Sequence, residues 1–239
     1  DQLLNCWKSI LPNLDTTLFK ESVFKQGWEN LELKNRMNRL SNAMCLILPK
    51  DFVAAAPLIK KLIIALSSKD FPVSGFEYMF IPEYVEKNGQ DNLNLSLDTL
   101  KHITQFVSCE FAIRPFIVKN EVETMKFMLK CSTDEHENVR WVSSEGCRAR
   151  LPWAMALPGF KQDASLILPI LEKLKADESL FVRKSVANNL NDISKDHPEL
   201  ALKIAIQWFG KHQHTNWIVK HGMRTLLKAG HPTTMKLFG

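Results

Sequence analysis

The stretch DESLFVRKSVANNLNDIS at 177–194 decides the fold. At about 100° per residue, Val182, Val186, Leu190 and Ile193 fall on one apolar stripe, while Ser185, Asn188 and Asp192 share a polar one. The stretch also has two sequence neighbours of the same kind, DEHENVR at 134–140 and HTNWIVK at 214–220. Each copy ends in Val followed by a cation, and the valines recur after 43 and then 37 residues. Spacing in that range is what stacked helix pairs of the HEAT/armadillo type produce. The expected fold is all-α, a right-handed α-solenoid of HEAT-like repeats in a single domain over 1–239. Such repeats align equivalent positions along a concave surface, so function is sought in a groove rather than in one motif.

The rest of the chain agrees. No alternating strand signal persists. Helices are expected at about 15–26, 31–48, 51–67, 77–88, 95–106, 108–118, 120–131, 137–147, 164–175, 179–194, 198–210 and 215–229. The eleven prolines, at 12, 49, 57, 72, 82, 115, 152, 158, 169, 198 and 232, sit mostly at helix starts or just past ends. Gly230 before His231-Pro232 reads as a helix stop. ARLPWAMALPGFKQD at 149–163 is a long connector with two prolines and a glycine, the kind of loop that often carries function.

Composition bounds the function. A 45% hydrophobic chain builds a sizeable core, and no apolar run reaches membrane-spanning length; the best, at 52–68, is broken by Lys60 and Lys61. No basic n-region followed by an apolar core marks a secretion signal. Five scattered cysteines without a CxxC pair fit a reducing cytoplasm and neither a disulfide framework nor a zinc site. The net charge of +5 is unevenly spread: 201–239 holds six Lys and Arg, four of the seven histidines, and no acid. That asymmetry favours a polyanionic partner.

Three second helices carry the candidate chemistry. Trp141, Glu145 and Arg148 share a face at i, i+4 and i+7; Ser185, Asn188 and Asp192 follow; Trp217, Lys220, Arg224 and Lys228 make a cationic side. Glu110, one repeat before Glu145, stands in an apolar FAIRPF context where a lone buried carboxylate needs a partner or a purpose. Plainer roles stand beside these. Glu145 can pair with Arg148 or Arg140, Asp192 with Lys195, Asn189 can join neighbouring repeats, and Trp153 can plug the core beneath the connector.

SSEGCRARLPWAMALP at 143–158, SLFVRKSVANNLNDISKDHPELAL at 179–202 and WIVKHGMRTLLKAGHP at 217–232 resemble the AlkC-type DNA alkylation repair proteins, relatives of the AlkD-type HEAT-like glycosylases. LELKNR at 31–36, PEYVEKNG at 82–89 and SCEFAIRPF at 108–116 extend the resemblance over most of the chain. Two positions depart from it: Trp141 stands where family members often carry Arg, and Ala149 where Pro is usual. The resemblance implies an α-solenoid that cups duplex DNA and hydrolyses the N-glycosidic bond of alkylated purines, 3-methyladenine foremost. Within these residues it implies the repeat domain alone.

Carried over, Glu110, Glu145 and Asp192 become the active-site carboxylates, Trp153 the aromatic lesion contact and Arg148 a residue of the DNA cleft. Arg150, Arg183, Lys220, Arg224, Lys228 and Trp141 are the remaining candidate DNA contacts. No metal or cofactor is expected. The partner is double-stranded DNA containing alkylated purines, the protein a cytoplasmic monomer with no membrane association. The alternative from another class is a non-catalytic HEAT-like module that binds DNA or a protein.

Overall fold

The computed structural model describes residues 2–68 and 76–238; Pro72 of the proline series lies outside them. All regular structure among the described residues is helical. The α-helices run in order α1 Gln2–Ile10, α2 Thr16–Phe24, α3 Leu33–Ile47, α4 Phe52–Ser67, α5 Phe80–Asn88, α6 Leu93–Ile103, α7 Arg114–Lys119, α8 Glu121–Cys131, α9 Glu137–Glu145, α10 Pro158–Gln162, α11 Leu168–Leu174, α12 Leu180–Asp196, α13 Pro198–Trp208, α14 Gln213–Gly222, α15 Arg224–Lys228 and α16 Pro232–Phe238. They form two compact units, 1–116 and 117–239, each described by itself. Among the described residues no helix is long and apolar enough to cross a membrane.

Unit 1 packs α3 on α5, α4 on α6 and α1 on α4. Local chemistry starts its helices. Asp15 caps α2, accepting from Thr17 N at 2.9 Å and Leu18 N at 3.0 Å, and Asp51 caps α4 through Val53 N at 3.1 Å. Pro57 breaks the punctuation rule and sits inside α4. Gly89 ends α5 where there is no room for a side chain: a Cβ would collide with Ser96 Oγ of α6 and lie 2.8 Å from the Val85 carbonyl oxygen and 2.9 Å from the Phe52 ring of α4. The expected 108–118 helix is shortened, since residues 110–113 form turns and α7 starts only at Arg114.

Unit 2 is organised by α12, which packs on α9, α13 and α14. Its apolar stripe is buried as the periodicity requires: Val182, Val186 and Leu190 are 0% exposed and Ile193 is 2%. Gly222 permits the α14 approach, its Cβ position lying 2.9 Å from Leu190 Cδ2. The expected 215–229 helix is broken at Met223 into α14 and α15. Gly230 does stop it. With φ at +67° it lets His231 N donate to Leu226 O at 3.0 Å, the six-residue closure of a Schellman turn.

In its two arginine copies the recurring Val-cation motif is a staple for the turn between helices. Arg140 Nη1 donates to Asp134 O at 3.0 Å and Glu135 O at 2.8 Å. Arg183 Nη1 repeats this on Asp177 O at 2.7 Å and Glu178 O at 2.8 Å. Arg140 also forks onto the Asp177 carboxylate, at 2.6 and 3.1 Å, tying one repeat to the next. Asn189 does the same inside the core, its Nδ2 donating to Ser144 O at 2.9 Å.

Candidate active site

The polar face of α9 and α12 closes around one guanidinium. Arg148, just past the end of α9, donates from Nη1 to Glu145 Oε1 at 2.5 Å and from Nε to Asp192 Oδ2 at 2.9 Å. Lys195, one turn beyond Asp192, reaches the acid's other oxygen at 3.2 Å. All three central residues are buried, at 8% exposure for Glu145, 7% for Arg148 and 1% for Asp192. Burial works against the Arg148 charge, but Glu145 and Asp192 outweigh it and hold the pKa above the ordinary arginine value. Both acids are held by cations, and they differ in one respect. Both Asp192 oxygens are engaged, whereas Glu145 Oε2 is buried without a hydrogen-bond partner among the described residues.

Arg224 stands behind this cluster. Its Nη2 donates to Asn188 Oδ1 at 3.1 Å and its Nη1 to His221 O at 2.9 Å. Burial lowers its pKa first, Arg148 adds to that, and Asp192 opposes it. The plainer pairings foreseen for Glu145 and Asp192 thus form, with Arg148 and Lys195. What sets them apart from surface ion pairs is their burial.

The connector places Trp153 at a cost. Leu151-Pro152-Trp153-Ala154 is a turn closed by Ala154 N on Leu151 O at 3.4 Å, with Pro second and a φ of +64° at Trp153. That third position normally takes Gly, and Trp153 is the only non-glycine of positive φ among the described residues. A bulky residue held there stores roughly 1–3 kcal/mol of strain. Trp153 is 70% exposed, so it is no core plug.

The other candidate residues fall into three groups. Arg150 forks onto Asp196, with Nε at 3.0 Å, and Arg183 is committed to its turn carbonyls. Lys220 and Lys228 are exposed, on α14 and at the end of α15. Trp141 stacks on Phe181 with ring centroids 4.7 Å apart and planes 11° off parallel. Glu110 belongs to unit 1, in the turns between α6 and α7, where it accepts from Ser108 Oγ. Sequence reasoning missed Phe181 and Asp196 as partners; their i+40 and i+46 separations leave no local signal. Among the described residues no group of three or more His, Cys, Asp or Glu could hold a metal ion.

Helix pairs stacked on α12 and an arginine-bridged pair of buried acids define an all-α, HEAT-like repeat protein with an internal polar site. The chain belongs to the family of DNA alkylation repair enzymes, whose model matches residues 98–226 and so spans Glu110, Glu145, Arg148, Trp153 and Asp192. It is 42% identical over 238 residues to the uncharacterized protein YhaZ of Bacillus subtilis (strain 168), covering 100% of this chain and 65% of that relative. It is similar in structure to the Pseudomonas fluorescens alkylpurine DNA glycosylase AlkC bound to DNA containing an abasic site analog. The TM-score is 0.90 at 38% identity, over 100% of this chain and 66% of that one. AlkD2 from Streptococcus mutans shares the fold, with a TM-score of 0.54 at 21% identity over 80% of this chain and 98% of that one. The chain thus spans just under two thirds of the length of the first two relatives.

Proposed function

We propose that this protein is a DNA glycosylase that hydrolyses the N-glycosidic bond of alkylated purines in duplex DNA, with 3-methyladenine its favoured lesion. Family membership and the alkylpurine glycosylase named above support the reaction class. The chemistry fits the residues. A 3-alkylated adenine is a cation and already a good leaving group, and its departure leaves oxocarbenium-like charge on the sugar. Fixed anions stabilise that charge, and a carboxylate oxygen can orient the attacking water. Asp192, gripped on both oxygens, suits the first task. Glu145, with Oε2 unengaged, suits the second.

Glu110 is the third candidate carboxylate. An exposed Trp153 offers a face to the cationic base, worth about 0.5–2 kcal/mol. Lys220, Arg224 and Lys228 supply phosphate contacts. The groove reads the lesion without full base extrusion, needs no cofactor, and leaves the strand uncut with an abasic site. The protein works as a cytoplasmic monomer.

The buried, half-engaged Glu145 beside Asp192 is the observation that carries this reading. Its test is release of methylpurines from alkylated DNA by the wild type and by Glu145→Gln, Asp192→Asn and Glu110→Gln. DNA binding without release by the wild type would favour a non-catalytic DNA-binding module.

A further inference from the structure

Along the polar face of unit 2, the acids are not alone. At about 1.5 Å per residue, Trp141 lies roughly 6 Å along α9 from Glu145, and Phe181 lies roughly 16 Å along α12 from Asp192. Phe181 and Asp192 are eleven residues apart, three turns, and so share one side of α12. Trp141 and Phe181 form the stacked pair described above, and Phe181 still keeps 45% of its surface exposed. On α14 a second pair stacks, Trp217 on His221, with centroids 5.1 Å apart, planes 8° off parallel, and Trp217 38% exposed. Arg224 ties that helix pair to the same face of α12 through Asn188.

Two flat aromatic pairs, each with one ring exposed on the face that carries the acids, call for an occupant. The charge around them names the occupant. Lys184, one turn after Phe181, is exposed and close enough to His221 to lower its pKa, after burial and Arg224. Lys220 is exposed on α14, and no acid occurs anywhere in 201–239. At the helix starts Asp177 is engaged by Arg140 and Glu137 by the Ser179 hydroxyl at 2.5 Å, while Glu178 stays exposed 3.9 Å from His214. Aromatic faces interleaved with cations are what unstacked nucleotides need, since every base has a π-face and every link a phosphate.

Resting on the reading of this face as a DNA groove, we infer that Trp141–Phe181 and Trp217–His221 form a stacking surface for unpaired or unstacked nucleotides flanking the lesion. The surface would give the protein a preference for lesions in distorted DNA. It also gives the half-buried Trp141 a use, as one half of a stacking face.

The experiment is equilibrium binding by fluorescence anisotropy to three short duplexes. One carries a tetrahydrofuran abasic-site analogue in paired DNA, one the same analogue beside a run of mismatches, and one is undamaged. The wild type should bind the mismatched-flank duplex most tightly. Phe181→Ala and Trp217→Leu, both at exposed positions, should each weaken that complex about fivefold or more, and the undamaged one less than about twofold. Phe181→Tyr should bind like the wild type. Equal losses on all three duplexes, or no loss on any, would overturn the inference. Because the probes contain no scissile base, a failure of base release leaves this result standing on its own.

Discussion

Removing the Arg148 guanidinium should cost far more than removing that of Arg150, two residues away. Both hold carboxylates, Arg148 through Glu145 and Asp192, Arg150 through Asp196. Burial separates them: the Arg148 side chain is 9% exposed against acids at 10% and 2%, while the Arg150 side chain is 38% exposed. Breaking a buried pair from one side leaves an uncompensated charge, at about 3–5 kcal/mol. Breaking an exposed one costs about 0–1 kcal/mol. At roughly 2–4 °C per kcal/mol for a chain of this size, Arg148→Met should lower Tm by about 6–20 °C and Arg150→Met by no more than about 4 °C.

A pH signature separates charge from lost packing. Negative charge buried without its counter-charge favours proton uptake, so the folded Arg148→Met variant should bind more protons than its unfolded chain. Its stability is then fully present at low pH and is lost as pH rises. Thermal melts followed by circular dichroism should show the Arg148→Met deficit shrinking toward pH 5 and full at pH 7.5. Adding Glu145→Gln should recover part of it. A deficit below about 1 kcal/mol, or one of the same size at both pH values, would refute the reasoning.

Three further outcomes follow from other parts of the molecule. Burial, and then Glu83, raise the Glu86 pKa from 4.5 to about 7 against Lys87 and Lys34, so the native state loses stability as pH rises across that window; Glu86→Gln should raise Tm at pH 8 and leave it nearly unchanged at pH 4.5. Trp153→Gly relieves the strained turn, so unfolding titrations should show stability within about 1 kcal/mol of wild type or above it, while base release falls; a loss of about 3–5 kcal/mol would mean the indole is packed like a core residue. Lys220→Ala should reduce the slope of log K against log salt by about 1, whereas Arg183→Met, with its guanidinium on turn carbonyls, should lower stability and leave that slope alone.

Much of the fold was legible because helix periodicity and capping are local. The Val182 to Ile193 stripe is buried as read, and Gly230 stops the last repeat through a left-handed turn that its sequence context announces. Legibility failed where tertiary packing overrides pattern. The segment 108–118 has helical spacing, yet residues 110–113 form turns, beside a buried Cys109 whose thiol reaches Leu100 O at 3.4 Å. The Val-cation motif revealed the repeat but not its purpose, since only the folded turn shows Arg140 and Arg183 stapling carbonyls.

Glu145 and Asp192 were picked out by type and spacing, but not their burial around Arg148. An i,i+3 Glu-Arg pair on a helix is ordinarily a solvated surface feature, and the sequence cannot say that α12 covers this one and adds Asp192 to it. Trp153 was recognisable as an aromatic in a proline-rich connector. Its positive φ was not, because a Pro-Trp step has no preference for the left-handed region.

The most direct test of the central claim is to identify the product. Methylated duplex DNA is incubated with wild type and with Glu145→Gln under single-turnover conditions, free bases are separated and weighed by mass spectrometry, and the strand is checked for alkali-labile sites. The account expects free 3-methyladenine, an intact strand with an abasic site, and a rate about a hundredfold or more lower for Glu145→Gln at unchanged DNA affinity. Wild-type protein that binds the DNA and releases no base, or a Glu145→Gln variant as fast as wild type, would contradict it.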